Sequence, residues 1–83
     1  MIDLQAATDY WDDLIIADGL DDAIVGIHED TGIVFYSREK VIKILMERDG
    51  MSELDAIEFG DYNIFNAYMG EKTPVFLHDF FIQ

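Results

Sequence analysis

A chain of 83 residues makes one small domain that buries roughly 60 to 65% of its extended-chain surface, which excludes a second core and argues against a large enclosed active-site cavity. Half of it is apolar (51%) and 13% is aromatic, so a net charge of −13 does not make it disordered. That charge does argue against binding bare nucleic acid or an anionic membrane, because phosphates are met mainly by Lys and Arg, and it points to a basic partner.

Cysteine is absent, which excludes disulfides, thiol nucleophiles and thiolate metal sites and makes the cytoplasm the default compartment. The first residues, MIDLQAATDYWDD, lack the basic and apolar regions of a signal peptide, and no apolar run approaches the ~18 residues of a bilayer span. The charge is uneven. Met1 to Ser37 hold nine acids and neither Lys nor Arg, and Arg38, Lys40, Lys43 and Arg48 then supply four of the five bases, leaving Lys72 alone in the acidic remainder.

In chain order, Asp3 is positioned to cap a first helix in which Leu4, Ala7, Trp11, Leu14 and Ile15 lie within about a 100° arc. Asp9, Asp12 and Asp13 fall on the opposite side, and Asp18-Gly19 ends the helix near Ala17 or Asp18. Ala23 to His28 and Ile33 to Tyr36 read as strands joined by the turn Glu29-Asp30-Thr31-Gly32, a β-hairpin with Ala23, Val25 and Ile27 on one face. A hairpin alone is marginal in water and needs helices packed on one face.

Ser37 caps a second helix, REKVIKILMERD, with Val41, Ile42, Leu45 and Met46 as its core stripe and Gly50 beyond its end. Ser52 opens a third, with Asp55 three positions on as a short-armed capping box. Leu54, Ile57, Ile64, Phe65 and Tyr68 trace its inner face, Gly70 stops it, and Gly60 inside it marks a kink or a close helix contact. Val75 to His78 is a short extended segment able to pair with the hairpin edge. The expectation is a single α+β domain over residues 1–83, order α-β-β-α-α-(β), with three helices on one face of a small antiparallel sheet.

Tyr36 to Phe76, about half the chain, resembles a family of small uncharacterised proteins encoded by tailed phages and prophages. The residues that carry the likeness are Gly50-Met51-Ser52, Asp55-Ala56, Glu58-Phe59, Asn63, Ala67-Tyr68, Gly70-Glu71, Thr73-Pro74 and Phe76. The resemblance implies a phage origin, the cytoplasm of a host cell, and takeover of or protection from a host system as the class of function; it brings no activity with it. Helix stops, caps and close packing account for most of the motif, and the polar groups of Asn63, Tyr68 and Thr73 are expected to fix the loop after the third helix.

Site chemistry is sparse. The five aspartates of DDLIIADGLDD fail the EF-hand pattern, because Leu14 stands at the first ligand position before Gly19. Solvated loop acids are favoured over magnesium at Asp18, Asp21 and Asp22. His28 and His78, each beside carboxylates, make a transition-metal site only if the C-terminal segment lies next to the first strand. Ser37 and Ser52 are explained as caps, and GEKTP lacks the glycine spacing and ending of a phosphate loop. No cofactor, metal or catalytic residue is assigned, and an enzyme is not expected.

The expected function is inhibition or modulation of a basic, nucleic-acid-binding host protein by nucleic-acid mimicry, as DNA mimics and some anti-CRISPR proteins act. Asp9, Asp12, Asp13, Asp21, Asp22, Glu29 and Asp30 are the partner-binding candidates. Helical acids at i and i+3 or i+4 stand about 5 to 6 Å apart, comparable with phosphate spacing. The alternative is a structural or assembly protein, a homodimer included, built on the aromatics Tyr10, Phe76, Phe80 and Phe81.

Overall fold

The computed structural model describes residues 4–79; the expected cap at Asp3 and the aromatics Phe80 and Phe81 lie outside them. Its elements are α1 (Leu4–Tyr10), a 3-10 turn (Asp21–Ala23), β1 (Ile24–Ile27), β2 (Val34–Ser37), α2 (Arg38–Asp49), α3 (Glu53–Asn63) and β3 (Val75–Leu77). This is the α+β order expected. The sheet order is β1-β2-β3. Val34, Tyr36, Val41 and Ala56 are fully buried and Leu45 nearly so, which sets the core between the sheet and the two long helices.

The first helix is shorter than its apolar spacing predicts. Trp11 donates its backbone N–H to the Ala7 carbonyl (2.9 Å) and the helix has already closed at Tyr10. From there the chain makes a turn at Asp12-Asp13 and is irregular to Ala17, whose N–H donates to the Tyr36 hydroxyl (2.8 Å). Leu14 and Ala17 pack on the core and Leu20 is buried. The same apolar residues that line a helix face here line an irregular strap, and β-branched Ile15 and Ile16 suit that conformation.

The hairpin forms with a correction to its register. Ile24 pairs with Tyr36 and Gly26 with Phe35, leaving Val25 as an extra residue. A bulge of this kind resets the alternation of faces. Ile24 is buried in the core and Ile27 packs on it, so Ala23, Val25 and Ile27 do not share one inward face. The turn is closed by the Gly32 N–H to the His28 carbonyl (2.9 Å) and the His28 N–H to the Ile33 carbonyl (2.8 Å), with Gly32 at φ +74°.

Helix α2 begins and ends where its sequence predicts. The Ser37 Oγ accepts the Lys40 N–H (3.1 Å), and Gly50 takes the left-handed conformation at φ +70° that favours glycine. Helix α3 also starts as expected, with the Ser52 Oγ accepting the Asp55 N–H (3.1 Å). Its inner face and its end differ. Ala56 and Gly60 face inward, whereas Leu54 is 64% and Tyr68 80% exposed. The helix stops at Asn63, not Gly70: the Ile64 N–H still makes the helical bond to the Gly60 carbonyl (2.9 Å), but the Phe65 N–H reaches the same carbonyl, five residues back (2.8 Å), and the Phe65 ring lies against Gly60. The nearest neighbour of Gly60 is thus this ring, from just past the end of its own helix.

Strand β3 pairs with the hairpin edge, but parallel to β2, in the register Phe35–Val75, Tyr36–Phe76 and Ser37–Leu77. The sheet is mixed rather than antiparallel. Parallel pairing needs a long crossover, and α2, α3 and residues 64–74 provide one. The direction is held at the far end. Strand β2 runs straight into α2, and there Glu39 accepts the Asp79 N–H (2.6 Å) on one oxygen and meets His78 Nδ1 (2.8 Å) with the other. Phe76 stacks on Tyr36 (centroids 5.2 Å) and meets the Phe65 edge (5.1 Å).

Candidate functional site

All seven carboxylates singled out in the sequence are exposed, and the fold sorts them into two groups. One is built on Trp11, whose indole lies against Gly32 so closely that a side chain there would collide with it. That contact seats the turn carrying Asp12 and Asp13 beside the hairpin tip carrying Glu29 and Asp30. Asp9 precedes them in the last turn of α1 and accepts from the Gln5 amide (3.2 Å). The second group, Asp21 and Asp22, opens the 3-10 turn at the other end of β1, about 13 Å along a four-residue strand.

The helical spacing expected for Asp9, Asp12 and Asp13 does not form, since α1 ends before Asp12. Asp12 and Asp13 lie instead in the turn after α1, which Trp11 sets beside the hairpin turn of Glu29 and Asp30 through its contact with Gly32. Lys72 reaches this group from the loop after α3 and bonds Asp13 (2.8 Å); that hydrogen bond holds the Asp13 carboxyl below its ordinary range. Arg38, Lys40 and Arg48 lie elsewhere, against Asp61 (3.0 Å), Asp79 (4.0 Å) and Asp49 (3.0 Å). Most of the scarce positive charge is thus already matched to carboxylates.

Around Asp21 and Asp22 the organising residue is Arg48. Its guanidinium donates to both oxygens of Asp49 (3.0 and 3.1 Å) and to the Gly19 carbonyl (2.7 Å), clamping the strap to the end of α2. The Asp49 hydrogen bond and charge, reinforced by Asp18, push Arg48 up, and Arg48 in turn draws Asp49 down. Asp22 and Glu47 border a groove on one side of Arg48. On the other side lies a cavity of about 340 Å³ between α2, α3 and the returning loop. Its walls are largely apolar, and sequence reasoning missed it because it exists only once residues 64–74 fold back past α3.

The remaining candidates resolve into structural roles. His28 Nδ1 accepts the Thr31 N–H (3.3 Å) inside the hairpin turn, while His78 sits on Glu39 at the opposite end and opposite edge of the sheet, so the two histidines do not meet. Among the described residues, no group of three or more His, Asp or Glu is arranged to hold a metal ion. Ser37 and Ser52 are caps. Thr73 fixes its loop by accepting the Met69 N–H (2.8 Å) and donating to the Gly70 carbonyl (2.6 Å), and Asn63 donates to the Phe59 carbonyl (3.0 Å); Tyr68 projects into solvent. No described helix is long and apolar enough to cross a membrane. No family model, curated protein or solved structure is matched by the chain.

Proposed function

We propose that this chain is a phage-encoded binding protein without catalytic chemistry, which occupies a basic, nucleic-acid-binding surface of a host protein and so blocks or modulates it. One observation supports the proposal: the Trp11–Gly32 contact sets the turn of the exposed Asp12 and Asp13 beside the hairpin turn of the exposed Glu29 and Asp30, with Lys72 bonded to Asp13. Clustered carboxylates in a chain of net charge −13 steer a basic partner and compete with phosphate for its cations. The mimicry rests on a turn and a hairpin tip, not on one helix face, and Asp21 and Asp22 form a separate contact region. The host and anti-defence setting rests on the phage resemblance.

The test is affinity capture from host lysate at low and high salt, repeated with Asp12→Lys, Glu29→Lys and Asp30→Lys combined. Capture of a basic protein that weakens with salt and disappears in the triple variant, with far-UV circular dichroism unchanged, is the expected result. Undiminished capture by the variant rejects the reading. A second reading, a self-associating accessory protein, is favoured by the apolar exposure of Leu54, Tyr62 and Tyr68, which are 64%, 90% and 80% exposed. Light scattering separates it: a mass that grows with concentration supports self-association, and a constant monomer mass removes it.

A further inference from the structure

We infer that the cavity beside Phe59 and Met69 is an anchor pocket for one large apolar side chain carried on a basic segment of the partner. The inference rests on the reading of the chain as a binder of a basic protein. The cavity, about 340 Å³, is at the lower end of small-ligand clefts and is open at its lip, where Phe59 and Met69 are 41% and 47% exposed. Its floor includes the buried Leu20 and Leu45.

The side-chain donors on its walls are already engaged. The Asn63 amide donates to the Phe59 carbonyl, and the Arg48 guanidinium is committed to Asp49 and the Gly19 carbonyl. An occupant therefore meets an apolar interior. The rim is different: Asp18 and Asp49 border the cavity and Asp22 and Glu47 the groove across Arg48, four carboxylates around one guanidinium. That balance repels an anionic ligand and favours cations on either side of an apolar anchor. Aromatic and methionine side chains at the lip are the residue types enriched at protein interfaces, and methionine repacks readily around a guest. A buried anchor flanked by a charged rim is the usual anatomy of an energetic centre in such contacts.

The test uses two synthetic peptides of about ten Lys and Ala residues, identical except for a central Trp or Ala, titrated into the full chain by calorimetry and by amide NMR. The Trp peptide is expected to bind at least about tenfold tighter and to shift the amides of Leu20, Ile64 and Ala67. Ala67→Phe, which fills the cavity, should abolish that difference while leaving the Ala peptide unaffected. Met69→Ala, at the exposed lip, should reduce it, and carries the test if the filled variant does not fold. Equal affinities, no binding of either peptide, or a difference that survives both variants overturns the inference. So does free indole shifting the same amides with no gain from flanking lysines, which identifies a small-molecule cleft. If the two peptides bind equally and with salt sensitivity, the pocket fails while the electrostatic reading stands; if the tip variant captures its partner undiminished, that reading fails whatever the peptides do.

Discussion

Gly60 shows how a single missing side chain can shape an element. The Phe65 ring occupies the space where a Cβ would stand, and it is held there by the Arg38 guanidinium 4.3 Å above its centroid and by the Phe76 ring. Alanine at this position gains about 1 kcal/mol of helix propensity but forces an overpacked contact that costs about 1 to 3 kcal/mol. Gly60→Ala is therefore expected to lower stability by roughly 1 kcal/mol in urea unfolding; a stabilised variant would show that Phe65 moves aside freely. The glycine was visible in the sequence as an anomaly inside a helix. Its partner was not, because Phe65 itself read as part of that helix's inner face.

Among the elements, α2 and the start of α3 were legible because short-range chemistry decides them: Ser37, Ser52 and Gly50 act within a few residues. The end of α1 and the direction of β3 depend on contacts far along the chain, Ala17 to Tyr36 and Glu39 to Asp79, which no local pattern contains. The Glu39 link makes a prediction of its own. Burial pushes its carboxyl up, but the Asp79 N–H and His78 outweigh this and hold it below its ordinary value of 4.5. A carboxyl depressed on folding contributes stability that is full above the unfolded value and is lost as pH falls through the folded one. The urea midpoint should accordingly fall as pH is lowered from the ordinary value of 4.5 through the folded one, and fall less in Glu39→Gln. An equal acid response in both proteins would remove Glu39 as the clamp that sets the strand's direction.

For the molecule as a whole, the acids nominated from the sequence are all at the surface, and what was illegible was their grouping. Asp12 and Glu29 are 17 positions apart, and the segments that carry them are joined by an indole packed on a glycine. With −13 net charges and most bases tied into exposed pairs worth little each, mutual repulsion among the carboxylates opposes compaction. Potassium chloride at 0.5 M should raise Tm by screening that repulsion. A fall in Tm would mean that the surface ion pairs outweigh it.

Trp11 is the sole tryptophan, and it sits at the seam between α1 and the hairpin tip, with the Tyr10 ring 4.4 Å away. The protein thus carries an optical probe at the centre of its proposed interface. Release of the N-terminal segment would hydrate the indole and move its emission to the red, whereas a partner seated over Asp12 and Glu29 would protect it from acrylamide quenching. Docking and undocking of that seam can be followed by fluorescence in the unlabelled protein.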